Sequence, residues 1–545
     1  LFPYTTLFRS DISSEDLAAP HFDYQKFFDD IKPFTTYHKR HERIRVGYIS
    51  GDFRKHAMFA VIFGFISCHN KKKFEIFCYN LNMIDDGYTE DFKRVVEHFV
   101  DAKNLSLEEL AKRIHDDEID IAFDLAGHTA NNVMDVIVYK PAPVIISAIG
   151  WFDTTGVRTV DYFMVDKYTD PVGLNEKFFT EKMLRLQHSH FCYMWHDDPT
   201  VVNPAPCVKN GYITFISFNN FTKVTDEALR VWAKIVNAVP NSKLYLKGKA
   251  FRDKYGTDAA LKRIQEAGLS LDRLIYEPDE MKYLQKYTRA DIALDTFPYP
   301  GGGTTCDALY MGLPVITLVQ DRHNSRFGYS LLVNVGLEEL CTFSEEEYIQ
   351  KAVELANDWD RVRDYHLTIR RKMEESPVMN DAIYMGEVEA AYEKIFDAWI
   401  NGKELPDFPQ DAPPVTPAEA EEYYKRAEEY IQYEPGFYFG QIQNMINVKR
   451  ALYNLTLAAE SDEIHDAEIF LQIALCKELI KDYVGAYEAI LESGKHIYDM
   501  GKDISTFDRQ LLKRYHEVRA RLSLINNEPV EAVVNYDKAS KFTDI

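Results

Sequence analysis

The chain of 545 residues is too long for one ordinary core and predicts three to four domains at ~150 residues each. Lys and Arg total 63 against 86 Asp and Glu, a net charge of −23 that argues against nucleic acid as a main partner, because phosphate binding needs clustered positive charge. A hydrophobic share of 46% with 13% aromatics excludes a disordered chain, and no apolar run reaches the ~18 residues of a membrane span.

Residues 1–10, Leu1 to Ser10, have no initiator Met and lack the basic start and small-residue cleavage site of a signal peptide. They resemble translated sequencing-adapter read-through and are expected outside the fold, which leaves room for an upstream repeat array. From Arg43 the pattern is α/β. Strands are predicted at Ile44–Ser50, Phe74–Tyr79, Ile119–Asp124 and Val144–Ile149, with helices from Phe59 to about Ser67 and from Leu105 to His115. The pattern restarts with strands at Tyr212–Ser217, Lys243–Lys247, Leu274–Tyr276, Ile292–Asp295 and Pro314–Leu318, and a helix from Thr225 to Val239. Strands alternating with helices imply two parallel, doubly wound units with a cleft at the carboxyl ends of their strands. A Pro-rich break then runs from Pro406 to Pro417 and reads as a linker. Beyond it the chain reads as helical. Ala474–Tyr487 and Ala520–Val533 are self-similar around the polar turns at Lys481-Asp482 and Asn526-Asn527-Glu528, a degenerate helical-hairpin repeat of the tetratricopeptide type.

Seven cysteines, at 68, 78, 192, 207, 306, 341 and 476, show neither CxxC nor knuckle spacing. They read as reduced thiols of a cytoplasmic protein, without a disulfide framework or a zinc site.

The strongest local signal runs from Asp295 to Leu309, where a strand end meets Gly301-Gly302-Gly303-Thr304-Thr305 and a helix start. Glycines let a ligand approach the backbone, and the free N–H groups and helix dipole favour an anion. A plain glycine turn is the bland alternative; the motif has no Gly-Lys-Ser/Thr and is not GxGxxG in a first βαβ unit. Asp307 sits where it could accept from sugar hydroxyls. Lys223 follows the first strand of the second unit, where a cation can offset charge on a leaving diphosphate; standing alone, a solvated loop lysine would be the better reading. His56 and His128 follow strand ends of the first unit. There they could donate to a phosphate or relay a proton, against the commoner reading of a satisfied structural His. Asp358-Trp359-Asp360 has DxD spacing but lies in a helical stretch and reads as a solvated face. Tyr423, Tyr424 and Tyr430 read as the packing stripe of an acidic helix.

Taken together, Arg45–His56, Asp124–Thr129, Lys140–Val144, Ser217–Lys223, Ala290–Asp307 and Asp321–Arg326 resemble the catalytic region of the O-linked N-acetylglucosamine transferase family, glycosyltransferase family 41, in a bacterial-type form. The resemblance spans roughly Arg43 to Ala398. It implies a GT-B fold of two Rossmann-like lobes with a UDP-sugar between them, and no metal or other cofactor. It also implies inverting transfer of N-acetylglucosamine to Ser or Thr hydroxyls of proteins recruited by the helical repeats. The implied organisation is an N-terminal segment 1–40, an N-terminal lobe 41–205, a UDP-binding C-terminal lobe 206–402, a linker 403–417 and helical repeats 418–545. Carried over, Lys223 stabilises the leaving group and His56 is the active-site His. Asn219, Gly301, Gly302, Gly303, Thr304 and Thr305 hold the nucleotide, and Asp307 binds the ribose. His128, Gly150, Thr154 and Thr155 line the sugar from the other lobe.

Four departures bear on this. Asp153 replaces a glycine in the turn Gly150–Gly156 and is expected to bias donor choice. Gly302 stands where animal members carry a His. Tyr283 stands where a His often flanks the base. The repeats follow the catalytic lobes here, whereas the family usually places them before. The altered turn leaves two rivals: transfer of glucose or another hexose from a UDP donor, or a scaffold that has lost catalysis and binds partners through its repeats.

Overall fold

The computed structural model describes residues 4–9, 11–38, 41–129, 132–193, 204–280, 283–430, 442–461, 467–498 and 509–542. The chain divides into a unit of Leu1–Asp411 and a second of Ala412–Ile545.

The first unit carries two all-parallel sheets in tandem. In the N-terminal lobe, β1 (Ile44–Ser50), β2 (Phe74–Asn80), β3 (His98–Asp101), β4 (Ile121–Asp124), β5 (Val144–Ser147), β6 (Tyr162–Asp166) and β7 (Lys182–Leu186) lie in the order β3-β2-β1-β4-β5-β6-β7. In the C-terminal lobe, β8 (Thr214–Ser217), β9 (Lys243–Lys247), β10 (Leu274–Glu277), β11 (Ile292–Leu294), β12 (Val315–Leu318) and β13 (Cys341–Thr342) lie in the order β10-β9-β8-β11-β12-β13. This is the GT-B arrangement that the resemblance implies. The central strands are buried on both faces and read as near-continuous apolar runs. Helix starts follow their caps. Ser106 Oγ accepts from Glu109 N while the Glu109 carboxylate accepts from Ser106 N, closing a capping box, and Thr225 Oγ1 accepts from Ala228 N at 3.0 Å.

The strand order of each sheet reverses once, between β1 and β4 and between β8 and β11, the place where doubly wound sheets form a crevice at the carboxyl ends of their strands. Ile216 of β8 lies opposite Ala293 of β11, so the segments leaving these strands, Asn219 and Asp295, emerge side by side. The last helix of this unit, Asp381–Ile400, returns from the C-terminal lobe to pack on the N-terminal one, where Lys73 pairs with Glu393 at 2.7 Å and Glu389 holds His69.

Two sequence expectations change. The linker expected over 403–417 is shorter. Tyr162 OH donates to Pro406 O at 2.7 Å, Lys182 Nζ to Leu405 O at 2.9 Å and Gln410 Nε2 to Lys167 O at 3.0 Å. Proline removes backbone donors, but the carbonyls of this stretch remain acceptors and strap it to β6 and β7. The segment expected outside the fold also takes part in it. Tyr4–Phe8 forms a 3-10 turn, Leu7 and Phe8 are buried, and the Phe8 ring meets Tyr299 edge-on at 5.1 Å, because both side chains are apolar and find an apolar wall.

The second unit is built of paired helices: Pro417–Tyr430 with Ile442–Ala458, Ala467–Leu479 with Tyr483–Tyr498, and Arg509–Ile525 with Pro529–Ser540. Leu455, Ala474, Ile490, Leu512 and Tyr515 fill its core, and Tyr423, Tyr424 and Tyr430 pack against it. The turns that looked alike in sequence share a backbone device: Lys481 and Asn527 are both left-handed, with φ of 67° and 61°, at the same offset of about 46 residues. Asp358 of the DxD sequence is an N-cap, accepting from Arg361 N at 3.0 Å. All seven cysteines are buried and unbridged. Among the described residues no helix is long and apolar enough to cross a membrane.

Candidate active site

Asp295 organises the C-terminal side of the crevice. Its carboxylate is buried immediately beyond β11. Oδ1 accepts from Gly301 N at 2.7 Å, Thr296 N at 2.9 Å and Asn219 Nδ2 at 3.2 Å; Oδ2 accepts from Thr317 Oγ1 at 3.2 Å and Thr305 Oγ1 at 3.3 Å. One side chain thereby fixes the glycine turn, the loop after β8 and the end of β12. Burial pushes its pKa up to about 6 despite these donors and Lys223.

The glycine turn divides by direction. Asn219, Gly301 and Thr305 face inward to Asp295 and are buried, whereas Gly302, Gly303 and Thr304 keep surface. Asn219 and Thr305, expected on the nucleotide, also support the turn: Asn219 Nδ2 and Thr305 Oγ1 donate to the buried carboxylate, while Asn219 Oδ1 has no hydrogen-bond partner among the described residues. At the exposed end begins the helix Gly303–Tyr310, and among the described residues no acceptor meets the N–H groups of Gly302, Gly303 or Thr304. That is an anion cradle. A Cβ at Gly301 would lie 2.6 Å from Thr305 Oγ1 and 3.1 Å from Asn219 Oδ1, while one at Gly303 would meet nothing within 4 Å. Gly301→Ala should therefore destabilise by ~1–3 kcal/mol. Gly303→Ala should leave the fold as stable or gain up to ~1 kcal/mol of helix propensity. Thermal melts of the two variants would check this.

Lys223 closes the other side. Its ammonium lies 4.3 Å from the centroid of the Tyr299 ring and donates to Pro300 O at 3.2 Å. The residue as a whole keeps some surface, but burial of the ammonium pushes its pKa down to about 8, with Asp295 pulling the other way. A cation is thus held against an aromatic face at the mouth of the cradle.

Asp307 differs from expectation. Oδ1 accepts from Tyr193 OH at 2.5 Å and Oδ2 from Tyr283 OH at 2.7 Å. Tyr283 thus spends its hydroxyl on Asp307. Tyr193 reaches across from the end of the N-terminal lobe. Phe191 does likewise: a Cβ at Gly302 would lie 3.2 Å from its ring, so the glycine there admits an aromatic wall. Tyr193, Phe191, Tyr299 and Lys247 were not singled out in the sequence. Aromatic residues close to strand ends are the signal that could have marked the first three, whereas Lys247 looks like any lysine at a strand end.

On the N-terminal side, His56 follows β1 and exposes 39% of its side chain. Its Nδ1 accepts from Met58 N at 3.4 Å and lies 3.5 Å from Asp52 Oδ2. Partial burial lowers its pKa; Asp52 opposes this, and Arg54 and Lys249 of the other lobe add to it. The net shift favours the neutral imidazole, and the influence of Lys249 puts His56 within electrostatic reach of the C-terminal lobe.

The other N-terminal candidates have partners within the protein. His128 is buried and its Nε2 bonds Thr155 O at 2.7 Å; burial pushes its pKa to about 4. Thr154 Oγ1 donates to Glu181 Oε2 at 2.7 Å, and both N and Oγ1 of Thr155 donate to Glu181 Oε1. A Cβ at Gly150 would lie 2.1 Å from Leu125 O, and one at Gly156 1.9 Å from His21 O. Thr154 and Thr155 thus supply the donors that the buried Glu181 carboxylate needs, and His128 and Gly150 pack the same turn against its neighbours.

Asp153 of that turn is buried, accepts from Thr154 N at 2.8 Å and has His323 and Arg322 as its opposite charges. Burial pushes its pKa up to about 7. The folded chain then holds a proton that the unfolded chain gives up near pH ~4. Stability should fall as pH rises from ~4 to ~7 on this account. Asp153→Asn keeps the acceptor and removes the charge, so its melting temperature should exceed wild type at pH 8, with the gap closing toward pH 4.

The model of Glycosyl transferase family 41 matches residues 1–197 and 207–388. The chain belongs to glycosyl transferase family 41. Among curated relatives, the probable UDP-N-acetylglucosamine–peptide N-acetylglucosaminyltransferase SPINDLY of Solanum lycopersicum is 34% identical over 364 residues, covering 66% of this chain and 39% of that protein. The SPINDLY protein of Arabidopsis thaliana is 35% identical over 370 residues, covering 66% and 40%. The family 41 chain therefore spans about two-fifths of the length of the curated relatives it matches. Among solved structures, a mutant of Thermobaculum terrenum O-GlcNAc transferase superimposes with a TM-score of 0.68 at 27% identity, covering 73% of this chain and 77% of that one.

Proposed function

We propose that this family 41 protein transfers N-acetylglucosamine from UDP-N-acetylglucosamine, with inversion, to Ser or Thr hydroxyls of proteins. The observation that carries this reading is the Lys223 ammonium, held on the Tyr299 ring at the mouth of the cradle formed by Gly302, Gly303 and Thr304. As the glycosidic bond to the diphosphate breaks, negative charge grows on the leaving oxygen. A preorganised cation and the positive end of a helix act there with little reorganisation, and the step needs no metal. The curated relatives named above are described as peptide N-acetylglucosaminyltransferases, which supports the donor and the acceptor class. The paired helices after residue 411 recruit the acceptor protein, and the buried free thiols fit a cytoplasmic setting.

Differential scanning fluorimetry with UDP, UDP-N-acetylglucosamine, UDP-glucose and GDP, followed by turnover on a protein acceptor, tests this. Stabilisation by UDP and label transfer from UDP-N-acetylglucosamine are expected. Transfer from UDP-glucose alone would replace the donor, and no response to any nucleotide would leave a binding scaffold.

His56 is assigned to positioning. Because Nδ1 accepts from Met58 N, Nε2 carries the proton and donates to the acceptor substrate or a phosphate. His56→Ala should lower turnover by roughly 10- to 100-fold, the weight of one hydrogen bond to a charged group. His56→Gln, still a donor but no base, should restore most of it with an unchanged melting temperature. Equal loss in both variants would make His56 the base instead, with Asp52 as its orienting partner.

A further inference from the structure

Lys247 ends β9 and is 7% exposed, so nearly all of this cationic residue is inside the protein. Its ammonium lies 5.1 Å from the Phe218 ring centroid and 4.8 Å from that of Tyr283. Among the described residues it has neither a hydrogen bond nor an ion pair; Asp279, Glu280 and Asp307 act on it only at longer range. A buried cation without a direct partner is costly, and two aromatic faces offset only part of that cost. The unspent donors therefore point to a ligand acceptor.

Its place says which part of a ligand. Tyr283 is fixed to Asp307, and Asp307 lies in the helix that begins at Gly303 with the anion cradle. Lys247 lies over the Tyr283 ring whose hydroxyl is held by Asp307. If a diphosphate sits on the cradle, the pair Asp307 and Tyr283 leads from it toward Lys247, which puts Lys247 at the nucleoside end of the ligand. The aromatic walls cannot shift freely, because Tyr193 holds the other oxygen of Asp307.

We propose that Lys247 reads the nucleotide base, its ammonium donating to the exocyclic keto oxygen that distinguishes uracil from cytosine and guanine from adenine. The inference rests on the reading of the crevice as a nucleotide-sugar site. An ammonium has three donors and no acceptor. It satisfies a keto oxygen, but sets donor against donor where the base carries an amino group. Phe218 and Tyr283, on whose rings the ammonium rests, hold it in place for that contact.

Isothermal titration of the full chain with two minimal pairs, UDP against CDP and GDP against ADP, tests this in wild type and variants. Wild type should bind the keto member of whichever pair it accepts at least ~10-fold tighter than the amino member. Lys247→Met should bring that ratio to about one, by weakening the keto nucleotide roughly 10- to 100-fold and leaving the amino one within a few-fold. Lys247→Gln, whose amide both donates and accepts, should bind both members alike and guards against a folding failure of the Met variant. A ratio unchanged by both substitutions overturns the proposal. So does equal weakening of both members, which would mark a charge acting on the diphosphate. GDP bound in place of UDP would end the uridine-donor reading while leaving the role of Lys247 intact. Failure of wild type to bind any of the four would end both.

Discussion

Lys223→Ala should cut transfer by ~10²–10³, with circular dichroism and melting temperature close to wild type. The ammonium makes one hydrogen bond, to Pro300 O, and stacks on Tyr299, so truncation removes little that holds the fold. It does remove the side chain that would face the leaving diphosphate. The pH dependence gives a second, sharper reading. Only the protonated lysine can offset negative charge, and burial lowers its pKa to about 8 in the free protein. Because kcat/KM reports the free enzyme, it should fall as pH rises through ~8. Lys223→Arg keeps a charge that is not lost at any working pH. That variant should retain partial activity and lose the alkaline limb. An alkaline limb that persists in the Arg variant, or an Ala variant within a few-fold of wild type, would remove Lys223 from the reaction.

Asp295→Ala should be the most destabilising single change at the site, by ~3–5 kcal/mol. Five donors converge on this carboxylate. Truncation would leave the N–H groups of Thr296 and Gly301, the amide of Asn219 and the hydroxyls of Thr305 and Thr317 to find other partners in a buried space, with the Lys223 charge less compensated. The glycine turn would lose its tether, so nucleotide affinity should fall together with the melting temperature. Asp295→Asn can still accept on one oxygen and sheds the charge, so its loss should be clearly smaller. Equal melting temperatures for wild type and the Ala variant would show that the donors are satisfied elsewhere.

Most of both sheets was legible from the sequence, because β1, β2, β4, β5, β8, β9, β11 and β12 are largely buried apolar runs separated by helices or turns, and the half-exposed edge strand β10 keeps the apolar start Leu274-Ile275-Tyr276. Four strands were not. β6 and β7 are joined by a 3-10 turn at Glu176–Phe178 in place of a helix, so the alternation that marks a βα unit is absent. β3 is a half-exposed edge strand with a weaker apolar signal, and β13, though buried, is only two residues long, too short to show a pattern.

At the site, Lys223, His56 and the glycine turn could be found because backbone position alone places them: each follows a strand end at a point where the sheet order reverses. Which side chains face the crevice could not be read the same way. Thr304 and Thr305 are adjacent and chemically alike, yet one is at the surface and the other is turned to Asp295. Thr154 and Thr155 look like ligand hydroxyls until Glu181, 26 residues later, is seen to take both. Lys247 reads as an ordinary strand-end lysine, since its aromatic flanks come from residues 29 before and 36 after it in the chain.

The contrast between Gly301 and Gly303 sets where the proposed donor site can be re-engineered. Gly301 is sealed by its neighbours, whereas a Cβ at 303 would meet no atom of the protein within 4 Å. Bulk added there would be met first by the donor. A small or β-branched residue at 303, paired with a donor trimmed to match, would give an orthogonal enzyme–substrate pair that marks its own products among those of other transferases.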